Sequence, residues 1–337
     1  MPTNEIEERY HRNPYTEGSI QDMPGKIGME RFTYETAEGW EKIPEGYEFP
    51  DASGVTVDSD DNVYILNRGA HPVIVLDKDG NFLRSFGEGE FDQRAHGIHC
   101  SPDNFIYTVN DSQHCIKKYT REGKLLMVIG EENKAAEKWS GTPFHRPTNM
   151  AVSPNTGDVF VTDGYGNSRV HRYSAEGKHI VSWGSPGVEP GEFQVPHNVV
   201  IDKDENVYVT DRENYRLQVF NNTGELQAIW QNIYRPQALC MDQKGIIYVG
   251  EMLMDTELFD YPMVGHRLNV FNADGERLAR IGDAMLGDGP TQFIAPHGFG
   301  VDSQGNLYVG EVSYTVYGRR LEPPRQFRCF RKLQLVG

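Results

Sequence analysis

The sequence predicts an all-β protein, specifically a six-bladed β-propeller, on the basis of three observations. The chain of 337 residues contains 35 glycines and 19 prolines, which suits many short strands joined by tight turns. It shows no sustained 3.6-residue periodicity, which a helical solenoid would need. A unit of four short strands recurs six times at intervals of 40 to 60 residues, a pattern typical of propeller blades.

Each repeat begins with a hydrophobic run that ends in Asp or Ser-Pro, followed by a turn and a second strand centred on an aromatic residue. A third strand, a turn that usually holds glycine and a fourth strand complete the unit. One such sheet cannot bury both of its faces, so the units must stack side by side, and six of them close a ring. The aromatic residues of the second strands are Tyr64, Tyr107, Phe160, Tyr208, Tyr248 and Tyr308.

These landmarks place the blades at about 51–87, 95–130, 147–184, 196–230, 236–282 and 296–333. The sixth blade is one strand short, which would leave an unpaired sheet edge. Residues 31–40 have the composition of a strand, and we expect them to supply the missing outer strand. The propeller would then be a single domain over 31–337, preceded by an N-terminal arm at 1–30.

The charge balance argues against several kinds of partner. The formal net charge is −16 and no run of Lys and Arg occurs, so neither nucleic acid nor a membrane surface is expected. No window approaches the roughly 18 apolar residues of a spanning helix, and the acidic N-terminus lacks a secretory core segment. The four cysteines are scattered, with no CxxC pair. We therefore expect a cytoplasmic protein that acts on a small molecule, with its oligomeric state left open.

Three histidines have related surroundings. His96, His197 and His297 each stand between a small residue or proline and Gly or Asn, at the start of the first strand of units two, four and six. Alternate blades of a six-bladed ring are related by a three-fold rotation, so the three imidazoles should converge on the channel axis. Three imidazoles with an open fourth position are the ligand set of a catalytic zinc ion. The alternative is that they line the channel and bond to backbone or water.

We call the start of each first strand the entry position. In units one, three and five the entry positions hold Ser53, Thr148 and Gln237 rather than histidine. In an antiparallel blade the second strand ends beside this position, so both lie at one end of the central channel, here called the mouth.

The ends of the second strands supply further mouth residues. Acids occupy this place in five units, and part of their role is to accept backbone N–H bonds. Arg68 is the exception in the first unit, and a guanidinium near a metal can pair with a substrate carboxylate in bidentate fashion. Tyr165 follows a glycine in the third unit, and its phenol beside a metal could act as a base or orient the substrate.

Two units carry insertions after the second strand, in the register that usually marks a binding face. The aromatic, thioether and cationic side chains of these insertions are expected to form a lid over the mouth and to favour a small, enclosed substrate. The lid candidates are Met252, Tyr261, Tyr314, Tyr317 and Arg319.

The repeats resemble NHL repeats, and the site residues resemble those of peptidyl-α-hydroxyglycine α-amidating lyases. Besides the three histidines, the resemblance rests on the runs at 67–71 (NRGAH), 163–169 (DGYGNSR) and 211–216 (DRENYR). It extends over all six blades, roughly residues 50–312. It implies zinc on His96, His197 and His297, and a reaction that breaks the C–N bond of an N-acyl-α-hydroxyglycine to give an amide and glyoxylate.

The resemblance also implies roles for the other mouth residues. It makes Arg68 an essential arginine, Tyr165 an essential tyrosine and Arg212 a third mouth residue. Two departures follow from the sequence. Gly166 stands where secreted members of the family have a disulfide cysteine, and Gly298 stands where an acid would serve the family's calcium, which argues against calcium here.

Two other classes of function remain open. A hydrolase or hydratase could use the same metal on a lactone or ester, although lactonase propellers hold their metal mainly through carboxylate and amide oxygens. A non-catalytic NHL interaction module would have no need of three equivalent histidines.

Overall fold

The structure, a computed structural model, describes residues 25–252, 265–283 and 285–337. Within these residues almost all regular structure is β-strand, and six antiparallel sheets are present. The one α-helix described, α1, is short (Ser313–Val316). The predicted all-β, six-bladed fold is confirmed.

The strands, in chain order, are β1 (Lys26–Met29), β2 (Phe32–Thr36), β3 (Ala52–Val57), β4 (Val63–Asn67), β5 (Val73–Leu76), β6 (Phe82–Phe86), β7 (Ala95–Cys100), β8 (Ile106–Asn110), β9 (Cys115–Tyr119), β10 (Leu125–Gly130), β11 (Asn149–Val152), β12 (Val159–Asp163), β13 (Arg169–Tyr173), β14 (His179–Trp183), β15 (Pro196–Ile201), β16 (Val207–Asp211), β17 (Arg216–Phe220), β18 (Leu226–Trp230), β19 (Pro236–Met241), β20 (Ile247–Glu251), β21 (Leu268–Phe271), β22 (Arg277–Ile281), β23 (Pro296–Val301), β24 (Leu307–Glu311) and β25 (Phe330–Leu335). The first five sheets each run in sequence order from the innermost strand to the outermost, as β3 to β6, β7 to β10, β11 to β14, β15 to β18 and β19 to β22.

The innermost strands of successive sheets lie side by side around the ring, and β23 of the last sheet lies beside β3 of the first. The second-strand aromatics are buried between neighbouring sheets, where they join the hydrophobic clusters that hold the blades together. Each tyrosine needs a partner for its hydroxyl there. Tyr64, for example, donates to Asp58 at 3.1 Å, in the turn between the first and second strands.

The sixth sheet takes its outer strands from the other end of the chain, in the order β1-β2-β25-β24-β23. Strand β2 pairs with β25 through Tyr34 and Leu335, in the place of the missing outer strand. Strand β1 then adds a fifth strand, in which Ile27 is buried against the last blade boundary. The boundary predicted for the arm at residue 30 is therefore wrong, because 26–29 belong to the sheet. Residues 1–24 lie outside the described part of the chain.

No helix among the described residues is long and apolar enough to cross a membrane. All four cysteines are free thiols, and Cys115 and Cys329 are buried.

Candidate metal centre

Five of the six entry residues are bulged out of their strands. In the pairing of β7 with β8, the register shifts between Ala95 and Gly97, so His96 has no partner across the ladder. The same shift skips the entry residue in four other sheets. A bulge turns a side chain away from the normal alternation and leaves backbone groups unpaired. The bulges therefore aim the entry side chains at the channel axis.

The three histidines meet at this axis, as the alternation of blades predicts. His96, His197 and His297 are buried, and one ligand atom from each lies within 4.8 Å of the others. Their ring centroids are 4.7 to 5.0 Å apart. No other entry residue carries an imidazole, so the even blades alone build the cluster.

The odd blades orient these histidines. Each Nδ1 atom lies close to a backbone carbonyl oxygen. The distance is 2.5 Å from His96 to Thr148, 2.7 Å from His197 to Gln237 and 2.6 Å from His297 to Ser53. These are the entry residues of the next blade in each case. A carbonyl oxygen only accepts, so each Nδ1 must carry the proton and each Nε2 must present its lone pair.

Burial favours the neutral form of these rings. Burial lowers the pKa of His96 and His197 well below the usual value, with further lowering by neighbouring cationic groups. Burial, assisted by the charges of Arg68 and Arg212, lowers the pKa of His297 to about 3. Three neutral imidazoles with converging lone pairs and Nδ1–H bonds to carbonyls have the donor set and the outer-shell support of a zinc site. The residues present therefore fit a bound metal.

Tyr165 lies over the cluster. Its hydroxyl is 2.8 Å from Nε2 of His96 and 3.1 Å from Nε2 of His197. Two glycines allow its loop to come so close: a Cβ at Gly164 would lie 2.1 Å from the Pro196 carbonyl oxygen, and one at Gly166 would lie 2.0 Å from a ring carbon of His145. The imidazole of His145 thus fills the space that a side chain at residue 166 would need. This is the position at which the resemblance predicts a disulfide cysteine in secreted proteins.

Arg68 reaches the same region from the first blade. Its Nε donates to the carbonyl of Ala95 at 3.2 Å, and its Nη1 donates to Thr315 Oγ1 at 3.0 Å. Asp51 lies 3.7 Å from Nη1 and also accepts from the backbone N–H and hydroxyl of Thr315. Burial lowers the pKa of Arg68, although the charge of Asp51 opposes that shift. This buried guanidinium is held rigidly next to the histidine-bearing strand β7.

Arg212 approaches Tyr165 from the fourth blade. Its guanidinium carbon is 5.6 Å from the Tyr165 ring centroid, and its Nε donates to Glu213 at 2.8 Å. Glu213 also binds Arg235 at 2.7 Å. Tyr165, Arg68 and Arg212, which the sequence placed at the mouth, thus gather around the three histidines.

Two further arginines at the mouth were missed as site residues. The guanidinium carbon of Arg146 lies 4.9 Å from the Tyr165 ring centroid, on another blade from Arg212. Arg94 and Arg146 both bind Asp111. The signal was present in the sequence, because Arg94, Arg146 and Arg235 each stand two residues before an entry position.

The acids at the second-strand ends are mainly structural. Asp163 accepts the backbone N–H of His145, Asp211 that of Gln194, and Glu311 that of Ile294. Each acid thereby fastens the segment that leads into its own blade's first strand. Asp111 differs in that its carboxylate binds two arginines that lie at the mouth, Arg94 and Arg146.

The lid candidates have varied positions. Tyr314 donates its backbone N–H to Asp51, which ties the sixth-blade insertion to the first blade. Tyr317 packs on Phe327 at a centroid distance of 5.6 Å, and Arg319 is exposed. Within the described residues neither makes a hydrogen bond or ring contact with the histidines.

In the fifth-blade insertion, Met252 donates its backbone N–H to the carbonyl of Arg235 at 3.0 Å. Tyr261 lies outside the described residues. The prediction of a lid over the metal site thus stays a prediction.

Packing leaves no room for a side chain at Gly298. A Cβ there would lie 2.5 Å from the Cα of Gly54, across the contact between the sixth and first inner strands. An acid at this position would force those strands apart. The absence of calcium at this position stays a prediction. The close strand contact gives a steric reason why residue 298 carries no acidic side chain.

Comparison with known proteins identifies relatives of two kinds. The NHL repeat model matches residues 144–173 and 193–220. Human NHL repeat-containing protein 3 is 32% identical over 302 residues, covering 84% of this chain and 82% of the human protein. A probable peptidyl-α-hydroxyglycine α-amidating lyase of Caenorhabditis elegans is 31% identical over 153 residues, covering 44% of this chain and 43% of the worm protein. The chain spans about a third or less of the vertebrate amidating monooxygenases that it also matches.

Among solved structures, a streptogramin B lyase superposes with a TM-score of 0.56 at 15% identity, covering 86% of this chain and 96% of that protein. At this identity the likeness concerns the propeller fold alone.

Proposed function

This chain belongs to the NHL-repeat family of β-propellers, and we propose that it is a zinc-dependent lyase that cleaves the C–N bond of a small N-acyl-α-hydroxyglycine or related carbinolamide. The products would be an amide and glyoxylate or a related aldehyde. Relatives named as amidating lyases support this substrate class.

The observation that carries the proposal is the arrangement of the three histidines. Each Nδ1–H is fixed on the carbonyl of an odd-blade entry residue, so three Nε2 lone pairs face one another with a phenol at 2.8 Å. Histidines that merely lined a channel could also bond to backbone carbonyls, but they would not need ligand atoms that all lie within 4.8 Å of one another. His96, His197 and His297 would hold the metal, which when bound supplies Lewis acidity to the substrate hydroxyl.

The chain's own residues account for the rest of the chemistry. Arg68 offers a rigid, buried guanidinium to the substrate carboxylate. Tyr165, as the phenolate, would accept the proton of the substrate hydroxyl. The electron pair of that O–H bond forms the aldehyde C=O as the C–N bond breaks, and the amide nitrogen leaves with the C–N electron pair. Tyr165 then returns the proton to that nitrogen, so no other reactant is consumed.

Two arginines support the charge that Tyr165 carries before it accepts the proton and again after it returns the proton. Arg146 and Arg212 lie against the phenol ring on different blades, at 4.9 and 5.6 Å from its centroid. The positive charges of these two guanidinium groups attract the negative charge of the phenolate.

Metal content and product analysis test the proposal. Protein prepared without chelator should carry about one zinc ion per chain, and fewer than about 0.3 would count against any metal enzyme and favour an interaction module. Zinc-loaded protein should release glyoxylate and benzamide from α-hydroxyhippurate. If it instead hydrolysed lactones or esters and released no glyoxylate, the hydrolase alternative would replace the lyase.

A further inference from the structure

The mouth carries a cationic group of which the proposed reaction uses only one member, Arg146 beside Tyr165. Arg94 binds the carboxylate of Asp111 with both Nε and Nη2, and Arg146 donates to the same carboxylate through Nη2 at 3.0 Å. The three side chains come from the second and third blades. We call them the Arg94–Asp111–Arg146 triad.

The triad has a net positive charge. Two guanidinium groups share one carboxylate, which is fully buried, while each arginine side chain is 39% exposed. Within the described part of the chain, Nε and Nη1 of Arg146 have no protein acceptor. Two cations held on one acid repel each other, and donors left at a channel mouth are available to a ligand.

The surroundings make this charge unusual. The chain as a whole has a formal net charge of −16, yet guanidinium groups from four blades surround the three histidines. A cationic mouth on an acidic protein draws small anions to that mouth.

The triad differs from the carboxylate site at Arg68 in its exposure to solvent. Arg68 is 8% exposed and lies along the strand that bears His96, whereas the triad arginines are nearer to solvent. Arg146 also borders Tyr165. A ligand whose reacting carbon lies beside Tyr165 and whose carboxylate meets Arg68 would extend its acyl group outward, along the triad.

We propose that the substrate carries a second anionic group on its acyl side, such as a carboxylate, and that Arg94 and Arg146 bind it. This inference rests on the proposed lyase function and specifies its substrate class: a short dianionic N-acyl-α-hydroxyglycine. A neutral acyl group would leave the triad's excess charge unpaired.

Equilibrium binding of unreactive ligands tests the inference without requiring turnover. N-succinylglycine and N-butanoylglycine have acyl chains of the same length and differ in the terminal carboxylate. Calorimetric titration of zinc-loaded protein at low ionic strength should show N-succinylglycine binding about tenfold more tightly, equivalent to about 1.4 kcal/mol. The preference should shrink as salt is raised, because the triad arginines are partly exposed.

Variants of the triad locate the effect. Arg94→Gln, and separately Arg146→Gln, should reduce the preference to less than about threefold. Arg121→Gln is the matched control. Arg121 pairs with the buried Asp58 and the exposed Asp60, but these residues follow the first inner strand at the end away from the mouth. That variant should keep the wild-type preference.

The inference is overturned if the wild-type protein prefers N-succinylglycine by less than about twofold, if neither ligand binds, or if both triad variants keep the preference. Failure of the lyase proposal has a different signature, namely zinc-loaded protein that binds these ligands but releases no glyoxylate from any α-hydroxy analogue.

Discussion

The most informative single substitution is Tyr165→Phe, because the hydroxyl and the ring of this residue have separable contacts. The guanidinium groups of Arg146 and Arg212 both contact the ring, and phenylalanine keeps those contacts. The hydroxyl lies 2.8 Å from Nε2 of His96 and 3.1 Å from Nε2 of His197. The substitution therefore removes one oxygen from the site and leaves the proposed zinc ligands in place.

The structure sets the expected magnitudes. Loss of a positioned proton carrier lowers the rate by about 10²- to 10⁴-fold. Metal affinity should change in the opposite direction, because a metal ion that takes the Nε2 lone pairs must displace the hydrogen bond from the phenol. That bond has a net value of about 0.5–1.5 kcal/mol, so Tyr165→Phe should bind zinc about 2- to 12-fold more tightly.

Zinc affinity is measured by competition with a chromogenic chelator, and activity by glyoxylate release from α-hydroxyhippurate. Tyr215→Phe, which alters a tyrosine that is 43% exposed, is the control and should leave both values unchanged. A Tyr165→Phe protein that kept its activity would refute the role in proton transfer. A fall in zinc affinity of more than about tenfold would show instead that the phenol is itself a ligand.

Three further substitutions test other parts of the site. Arg68→Ala should lower kcat/KM about 10- to 100-fold by removing charge-assisted bonds to the substrate carboxylate, and unchanged kinetics would remove Arg68 from the site. His297→Ala should lose both zinc and activity. His179→Ala, at an exposed position, is the control and should retain zinc by elemental analysis. Zinc at full occupancy in His297→Ala would contradict the three-ligand site. Gly166→Ala places a Cβ 2.0 Å from the ring of His145, so it should displace Tyr165 and lower kcat about 10- to 100-fold. Adding His145→Ala should restore part of that loss, and simple additivity of the two effects would show that the contact is unimportant.

The fold was predictable because its signals are local and repeated. An aromatic residue at the centre of each second strand marks a blade boundary, and six copies leave few alternatives to a ring. The histidine cluster was predictable for the same reason, since equivalent positions in alternate blades must be related by rotation. The arm boundary was wrong because β1 has no counterpart in the other blades. The position of β1 depends on pairing with the exposed edge of β2.

The mouth arginines show the limit of repeat-based reasoning. Arg146 stands two residues before an entry position, as Arg94 and Arg235 do, so the repeat places it at the mouth but does not identify its partner there. Only the folded ring brings it onto Asp111 of the neighbouring blade. Contacts across a blade boundary join residues that are distant in sequence, and the repeat does not encode their pairing.

By itself, therefore, the sequence determined the number of blades, the residues on the channel axis and the convergence of His96, His197 and His297. The tertiary structure decided how those histidines are oriented. A bulge at the entry positions frees the carbonyls of Ser53 and Gln237, and each lies where an Nδ1–H can donate to it. A hydrogen bond from a side chain to the backbone of the next blade depends on ångström-scale placement of two strands. Residue identity at either end does not specify that placement.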